Sequence, residues 1–544
     1  MGSAEPEVST TYGRVRGRIE HGNAVFRGLP FARPPLFALR FQAPAPPAPW
    51  DGVRDAGQFG PQSPQAAFPP AADTALADPA LADRAPGDTT LANAAPGDSA
   101  PADTAPANAA PGAPRPPADT TGEWLTVNVW TPDPHARTLP VMVWIHGGAY
   151  LFGSGGPEYD GTPFASGGAV FVSCNYRLGM EGFAQIEGAP ANRGLLDAVA
   201  ALRWVRDNIE RFGGDPANVT VFGESAGAGV IAALLAMDAA QGLFKRAIAQ
   251  SVPGTFFSAG LASAITEAVA ATAGLPASYE ALSEADPMRL VAAQTDVTSR
   301  MREFSNWGAV RITDTPFSPV VDGEVLTRAP WRALVSGAAR DVELLTGHNR
   351  DEYRLFIAAQ GRLGRITDDQ ANEVLGYFAP APDGPAGYRK AYPNADAGGL
   401  FEVAFSDWLF RMPTLHLAQA HAMSGGTTYL YELAAQAPGG PFGACHALDV
   451  PLVFGSYGQG ISALLTGAEP PAEFVALGDL MRREWLAFAA CGHPGWSPYG
   501  TGHRTTRVYE LQSDVRSYPE EASMHLWERH MFDALELPAG QGAR

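Results

Sequence analysis

Residues 219–227 read VTVFGESAG: a short apolar run of strand length running straight into the turn Gly223-Glu224-Ser225-Ala226-Gly227. Residues 230–237, VIAALLAM, then continue as an apolar helix. A strand, a Gly-x-Ser-x-Gly turn and a helix in immediate succession constrain the fold more than any other segment. Glycines two places before and two places after a serine let a strand turn abruptly into a helix without Cβ clashes. The serine hydroxyl is then left exposed at the tip, beside the N-terminus of a helix whose N–H groups favour negative charge. The pentapeptide alone is weak evidence in a chain with 60 glycines. The strand before it and the helix after it make it specific.

The same alternation extends along the chain. Residues 141–145 (VMVWI) form an apolar run that ends in His146-Gly147-Gly148-Ala149, and residues 170–172 run into Asn175-Tyr176-Arg177. Residues 195–211 place apolar side chains at helical spacing and stop at Gly213-Gly214. Residues 247–249, 344–345 and 428–433 have the character of further buried strands. Strands alternating with helices predict a large, mostly parallel sheet covered by helices on both faces. In such sheets the functional groups collect beyond the C-terminal ends of the strands.

One segment breaks the pattern. Residues from about 64 to 120 consist of Ala, Pro, Asp, Thr and Gly, with a repeat of about five residues between 72 and 111. A five-residue β-solenoid would need a bulky apolar residue within each unit, and those positions hold Thr, Pro, Arg, Ala or Ser. Proline at most unit ends also removes ladder donors. The composition predicts a disordered insertion, because it cannot bury enough apolar area to offset chain entropy. The chain therefore reads as one domain over residues 1–544, interrupted at about 64–120.

Charge and cysteine content exclude several classes. A formal charge of -19 argues against nucleic-acid binding, which needs a basic surface. Cys174, Cys445 and Cys491 have no repeated spacing, so neither a disulfide framework nor a metal site is expected. The first residues lack a basic start and an apolar run, so no signal peptide is read there. No apolar stretch approaches the roughly 20 residues needed to span a bilayer. The expectation is a cytoplasmic protein with no membrane partner. Only two of its 38 basic residues are lysine, Lys245 and Lys390, and that bias, with abundant Ala, Gly and Pro, suggests a GC-rich, bacterial source.

A serine nucleophile needs a base, an acid to orient it, and donors for the oxyanion. The small residues of the 146–149 turn can expose backbone amides, so Gly148, Ala149 and Ala226 are the expected oxyanion donors. With the acid and the histidine following the serine in the chain, the base could be His348, His416, His421, His446, His493, His503, His525 or His530. His446 stands out in a loop after the strand at 428–433, and Glu352 follows the strand at 342–345. Asp351 and Asp449 compete with Glu352 for the acid role.

These residues resemble the type B carboxylesterase family, which includes cholinesterases, mammalian carboxylesterases and bacterial esterases. The resemblance runs almost end to end. It is carried by Phe26-Arg27-Gly28-Leu29-Pro30-Phe31-Ala32, Trp50-Asp51-Gly52-Val53, Asn128-Val129-Trp130, Trp144-Ile145-His146-Gly147-Gly148-Ala149 and Asn175-Tyr176-Arg177-Leu178-Gly179. Phe212-Gly213-Gly214-Asp215-Pro216 and Asn218-Val219-Thr220-Val221-Phe222 lead into the elbow. It implies an α/β-hydrolase fold, hydrolysis of small-molecule carboxylic esters through an acyl-enzyme, no cofactor, and a triad of Ser225, Glu352 and His446. Same-fold alternatives are an amidase, an acyltransferase or a non-catalytic binding relative.

Three departures from the family pattern stand out. Ser63 and Trp124 occupy the places of two cysteines that often close a loop, and their joint loss fits a reducing compartment. The insertion fills that loop and offers no Trp or Tyr to a choline cation, so a choline ester is not expected. Gly229 replaces a serine common four residues after the nucleophile. The remaining aromatic candidates for the acyl and alcohol pockets are Phe405, Trp408, Phe410, Phe256, Phe257 and Phe317, which could equally be core. Oligomeric state is not readable from the sequence.

Overall fold

The computed structural model describes residues 5–67, 122–458 and 460–538, except for the side chain of residue 461. The expected insertion lies, from residue 68 onward, outside the described residues.

An eleven-stranded sheet organises the molecule. In chain order its strands are β1 (Arg18–Glu20), β2 (Asn23–Pro30), β3 (Thr126–Thr131), β4 (Leu139–Ile145), β5 (Val170–Cys174), β6 (Gly214–Glu224), β7 (Arg246–Gln250), β8 (Glu343–Asn349), β9 (Thr428–Leu433), β10 (Thr505–Tyr509) and β11 (Asp514–Ser517). Their spatial order is β11-β10-β9-β8-β7-β6-β4-β5-β3-β2-β1. The seven strands from β5 to β10 pair in parallel, and the pairs toward both edges are antiparallel.

The alternation of side chains along β4 shows why both faces are covered. Val141, Val143 and Ile145 point into a core shared with Val230, Ile231 and Leu234 of helix α2 (Ala226–Ala236). Met142 and Trp144 point the other way, into a core shared with Trp485 and Phe488 of helix α5 (Ala472–Cys491). Trp144 packs against Phe222 and Phe454, each with its ring centroid 4.9 Å away. Burying a side chain of this size contributes about 1.5–3 kcal/mol, so a polar residue on either face of β4 would leave one core open.

The expected elements are present and longer than their apolar runs. The helix expected over 195–211 is α1 (Arg193–Asn208), followed by a 3-10 turn and ended by Gly213 at φ 91°. The strand expected over 219–222 starts at Gly214, and the helix expected from 230 starts at Ala226. Gly214, Asp215 and Pro216 in the strand extension and Gly227 and Gly229 in the helix extension have weak propensity of their own, so the sheet and the tight turn determine them.

Buried charge ties the loops to this frame. Arg177 and Asp197 are both fully buried, with a guanidinium nitrogen 2.8 Å from each carboxylate oxygen. Among the described residues no helix is long and apolar enough to cross a membrane.

Candidate active site

Five adjacent parallel strands deliver the candidate residues to one edge of the sheet. Ile145 at the end of β4 lies beside Gly223 of β6, and Gln250 at the end of β7 lies beside both Glu224 and Gly347. Asn349, ending β8, lies beside Leu433, ending β9. The segments that follow these ends carry the 146–149 turn, Ser225, Ser251, Glu352 and the loop with His446.

Ser225 occupies the turn between β6 and α2 with φ 56° and ψ -123°, a conformation a non-glycine residue adopts only under constraint. Ser225 N–H donates to the Gln250 carbonyl at 2.9 Å, and Gly229 N–H donates to the Ser225 carbonyl at 2.9 Å. The turn also requires its glycines. A Cβ on Gly227 would collide with the Ile145 carbonyl oxygen.

His446 is held between two carboxyl groups. Its Nδ1 lies 2.6 Å from Glu352 Oε2, and its Nε2 lies 3.1 Å from Oε1 of Glu224, the residue before Ser225. The other oxygen of Glu352 accepts from Ser251 Oγ at 2.6 Å and from Asn349 N–H at 2.8 Å. His446 N–H donates to the Glu352 carbonyl at 3.2 Å, which closes the two loops on each other. Phe410 stacks on the imidazole with centroids 4.1 Å apart, and Phe356 lies 5.3 Å from it.

Electrostatics follow from this crowding. Burial drives Glu224 up to about 8, with Asp449 and Glu352 adding to the rise and His446 opposing it. Burial alone would lower His446, but Glu224 and Glu352 outweigh it and hold the imidazole at about 9. The ring therefore keeps its proton at a pH where an ordinary histidine has lost it.

The competing acids face elsewhere. Asp449 Oδ2 accepts from Gln250 Nε2 at 2.8 Å and from Tyr431 hydroxyl at 2.9 Å. Asp351 accepts from Ala444 N–H at 2.9 Å. Four of the other histidine candidates are engaged away from Glu352. His348 contacts the Tyr518 hydroxyl at 2.9 Å and burial lowers it to about 4, and His421 contacts Thr428 Oγ1 at 2.8 Å. His416 and His530 pack around Phe532.

The turn after β4 faces the serine. A Cβ on Gly147 would stand 3.3 Å from Ser225 Cβ. Gly148, Ala149 and Tyr150 are consecutive residues with positive φ, at 109°, 53° and 60°. The Gly148 carbonyl accepts from Leu151 and Phe152, while among the described residues no acceptor is bonded to the N–H of Gly148, Ala149 or Ala226.

Of the six aromatic candidates, Phe410 alone stacks on the site imidazole. Phe405 stacks on Tyr353, Trp408 on Phe378, and Phe256 packs edge-on to Trp331. Phe257 and Phe317 are buried in the core of the α2 face. Sequence reasoning missed Glu224, Ser251 and Asn349. Only Glu224 carried a signal, as a carboxylate inside the turn motif. Among the described residues no group of three or more His, Cys, Asp or Glu side chains could hold a metal ion.

Comparison with known proteins places this arrangement in context. Residues 4–527 match the carboxylesterase family. The para-nitrobenzyl esterase of Bacillus subtilis is 33% identical over 526 residues, covering 94% of this chain and 96% of the relative. Human carboxylesterase 3 is 31% identical over 568 residues, covering 96% of this chain and 90% of the relative. A crystal structure of a Geobacillus stearothermophilus carboxylesterase superposes with a TM-score of 0.78 at 32% identity, covering 96% of this chain and 99% of that one.

Proposed function

The chain belongs to the carboxylesterase family, has the α/β-hydrolase fold and is a carboxylic ester hydrolase; from that premise we propose how its own residues do the chemistry. Ser225 is the nucleophile, His446 the general base and Glu352 the acid that orients it. The observation that carries this reading is the 2.6 Å contact from His446 Nδ1 to Glu352, with Nε2 directed at the elbow that bears Ser225.

In the first step the neutral imidazole takes the Ser225 hydroxyl proton at Nε2 as Oγ attacks the ester carbonyl. Glu352 holds Nδ1–H, which fixes the tautomer and stabilises the imidazolium that forms. The N–H groups of Gly148, Ala149 and Ala226 stabilise the tetrahedral oxyanion. Each such donor is typically worth about 10²–10³ in rate. His446 returns its proton to the leaving alcohol, and water then releases the acid by the reverse use of the same groups. Glu224, which faces Nε2 in this structure, exchanges places with Ser225 Oγ as the partner of that nitrogen.

The substrates are small-molecule esters. Phe356 and Phe410 against the imidazole favour an apolar or aromatic ester over a charged one. We also propose that residues 1–544 form a single catalytic domain, since one sheet draws strands from residue 18 to residue 517. A bacterial, cytoplasmic setting, with neither nucleic acid nor membrane as partner, is favoured by composition, the charge of -19 and three unpaired cysteines. At the place of the missing disulfide, Ser63 Oγ instead donates to the Tyr176 carbonyl at 2.9 Å. The test compares turnover of a short p-nitrophenyl ester with that of the matching p-nitroanilide. Fast release from the ester and little from the anilide is expected, and comparable rates would point to an amidase.

A further inference from the structure

The turn that carries the expected oxyanion donors is anchored at both ends. At its start the Tyr176 hydroxyl donates to the His146 carbonyl at 2.9 Å, and the Tyr176 ring stacks on that imidazole with centroids 4.4 Å apart. At its end Tyr150 follows Ala149 and sits at φ 60°, a conformation that a bulky residue holds only when its surroundings fix it. Its carbonyl accepts from Gly179 N–H at 2.7 Å, and its ring packs edge-on to Phe183 at 5.0 Å. Phe183 also meets the Tyr176 ring edge-on at 6.5 Å, so one phenyl ring braces both anchors.

The Tyr150 hydroxyl is the unusual part. Tyr150 is 1% exposed, and Ser318, the polar side chain facing its hydroxyl, stays outside hydrogen-bond geometry. Ser318 gives its own proton to the Thr255 carbonyl. A buried hydroxyl without a hydrogen bond disfavours folding, so a phenylalanine would serve the core better. What the hydroxyl adds is reach. It fills the space that a side chain on Gly229 would need. A Cβ there would overlap the Tyr150 oxygen, and would stand 3.2 Å from Cζ of the same ring and 3.0 Å from Pro253 Cγ. Gly229 lies in the first turn of α2, and its N–H donates to the Ser225 carbonyl at 2.9 Å. The hydroxyl therefore meets the helix at the residue bonded to the nucleophile.

We propose that the Tyr150 hydroxyl, seated in the space left by Gly229, sets the spacing between the oxyanion turn and the nucleophile elbow, which makes Tyr150 a positioning residue for ester hydrolysis. Too close a turn would push its amides past the carbonyl oxygen, and too loose a turn would leave them short of it. The proposal rests on Gly148 and Ala149 being oxyanion donors.

The test is a rescue. Helix propensity favours alanine over glycine inside a helix, so a loss in Gly229→Ala points to collision, and rescue by Tyr150→Phe assigns it to the hydroxyl rather than to Pro253. Counted per fluorophosphonate-reactive site, Gly229→Ala should lower kcat by about 10², the scale of an ångström misplacement, and change KM far less. Binding of a trifluoromethyl ketone, whose adduct with Ser225 places an oxyanion at the turn, should weaken in step. Tyr150→Phe alone should cost far less and leave the unfolding temperature no lower. Added to Gly229→Ala, it should restore most of the kcat and of the ketone affinity. A folded Gly229→Ala protein with wild-type kcat overturns the proposal, as does a double variant no better than Gly229→Ala. If Gly229→Ala does not fold, Tyr150→Leu carries the test, because it removes the reach without a collision; kcat and ketone affinity that both stay at wild type there overturn the proposal too. Gly148→Ala separates this proposal from the reading beneath it. A loss there without one in Gly229→Ala removes only the role of Tyr150, whereas no loss there removes the donors as well.

Discussion

His446 Nδ1 lies 2.6 Å from Oε2 of Glu352, while the other oxygen of that carboxylate is held by Ser251 and by the N–H of Asn349. One carboxylate thus orients the imidazole with one oxygen and is itself oriented through the other. Glu352→Gln keeps the shape but presents an amide to Nδ1, which can stabilise the wrong tautomer. Its kcat should fall by about 10³–10⁴ with little change in KM. Ser251→Ala, which removes one of the two restraints, should cost less, about tenfold. Steady-state kinetics on one nitrophenyl ester decides both, and an E352Q enzyme within a few-fold of wild type would contradict the assignment.

Glu224 predicts a shifted pH profile. A base works only when neutral, and the carboxyl groups on both sides of His446 hold its proton up to about 9. The acidic limb of kcat/KM should therefore lie well above the ordinary histidine value of about 6.5. Glu224→Gln removes the largest of the charges that raise it, so the limb should move to lower pH by about one unit or more. A limb that stays in place would mean that Glu224 does not sense the base.

The turn after β4 predicts a loss confined to the chemical step. Gly148 sits at φ 109°, and a Cβ there would collide with the Phe152 carbonyl oxygen. Gly148→Ala should displace the amides of residues 148 and 149 and lower kcat by about 10²–10³, with KM changed far less. The unfolding temperature serves as the control, since a folded protein with unchanged kcat would remove this turn from the oxyanion site.

The Arg177–Asp197 pair is a prediction about stability. Both side chains are fully buried, so Asp197→Ala leaves a guanidinium without its counter-charge. Such a loss costs about 3–5 kcal/mol and should appear as a lower denaturation midpoint. Because Arg177 also donates to the Gln42 carbonyl at 2.8 Å, the N-terminal segment should become protease-sensitive first. An unchanged midpoint would show that the pair contributes nothing net.

How much of this was legible in the sequence depends on the range of the interactions. β4, β6 and α2 could be read because apolar runs and glycines report local geometry directly, and Ser225 came with them. Glu352 and His446 could be narrowed to short loops after strands, but choosing them over Asp351, Asp449 or the other histidines needed the resemblance. Which carboxylate reaches an imidazole is set by how β8 and β9 align, Asn349 beside Leu433, and no local pattern records that register. The restraints from Ser251 and Asn349 were invisible for the same reason. Phe410 lies in a π-helical turn, Asp407–Arg411, between helices α3 (Ala397–Ser406) and α4 (Met412–Met423). That extra residue in the turn changes which face each aromatic presents, so Phe405 and Trp408 meet other rings while Phe410 meets His446.

The most direct measurement is covalent. A fluorophosphonate should react stoichiometrically, abolish ester hydrolysis, and leave its added mass on the peptide containing Ser225, with Ser225→Ala both unlabelled and inactive. Label on any other residue, or full turnover by the Ser225→Ala protein, would contradict the account.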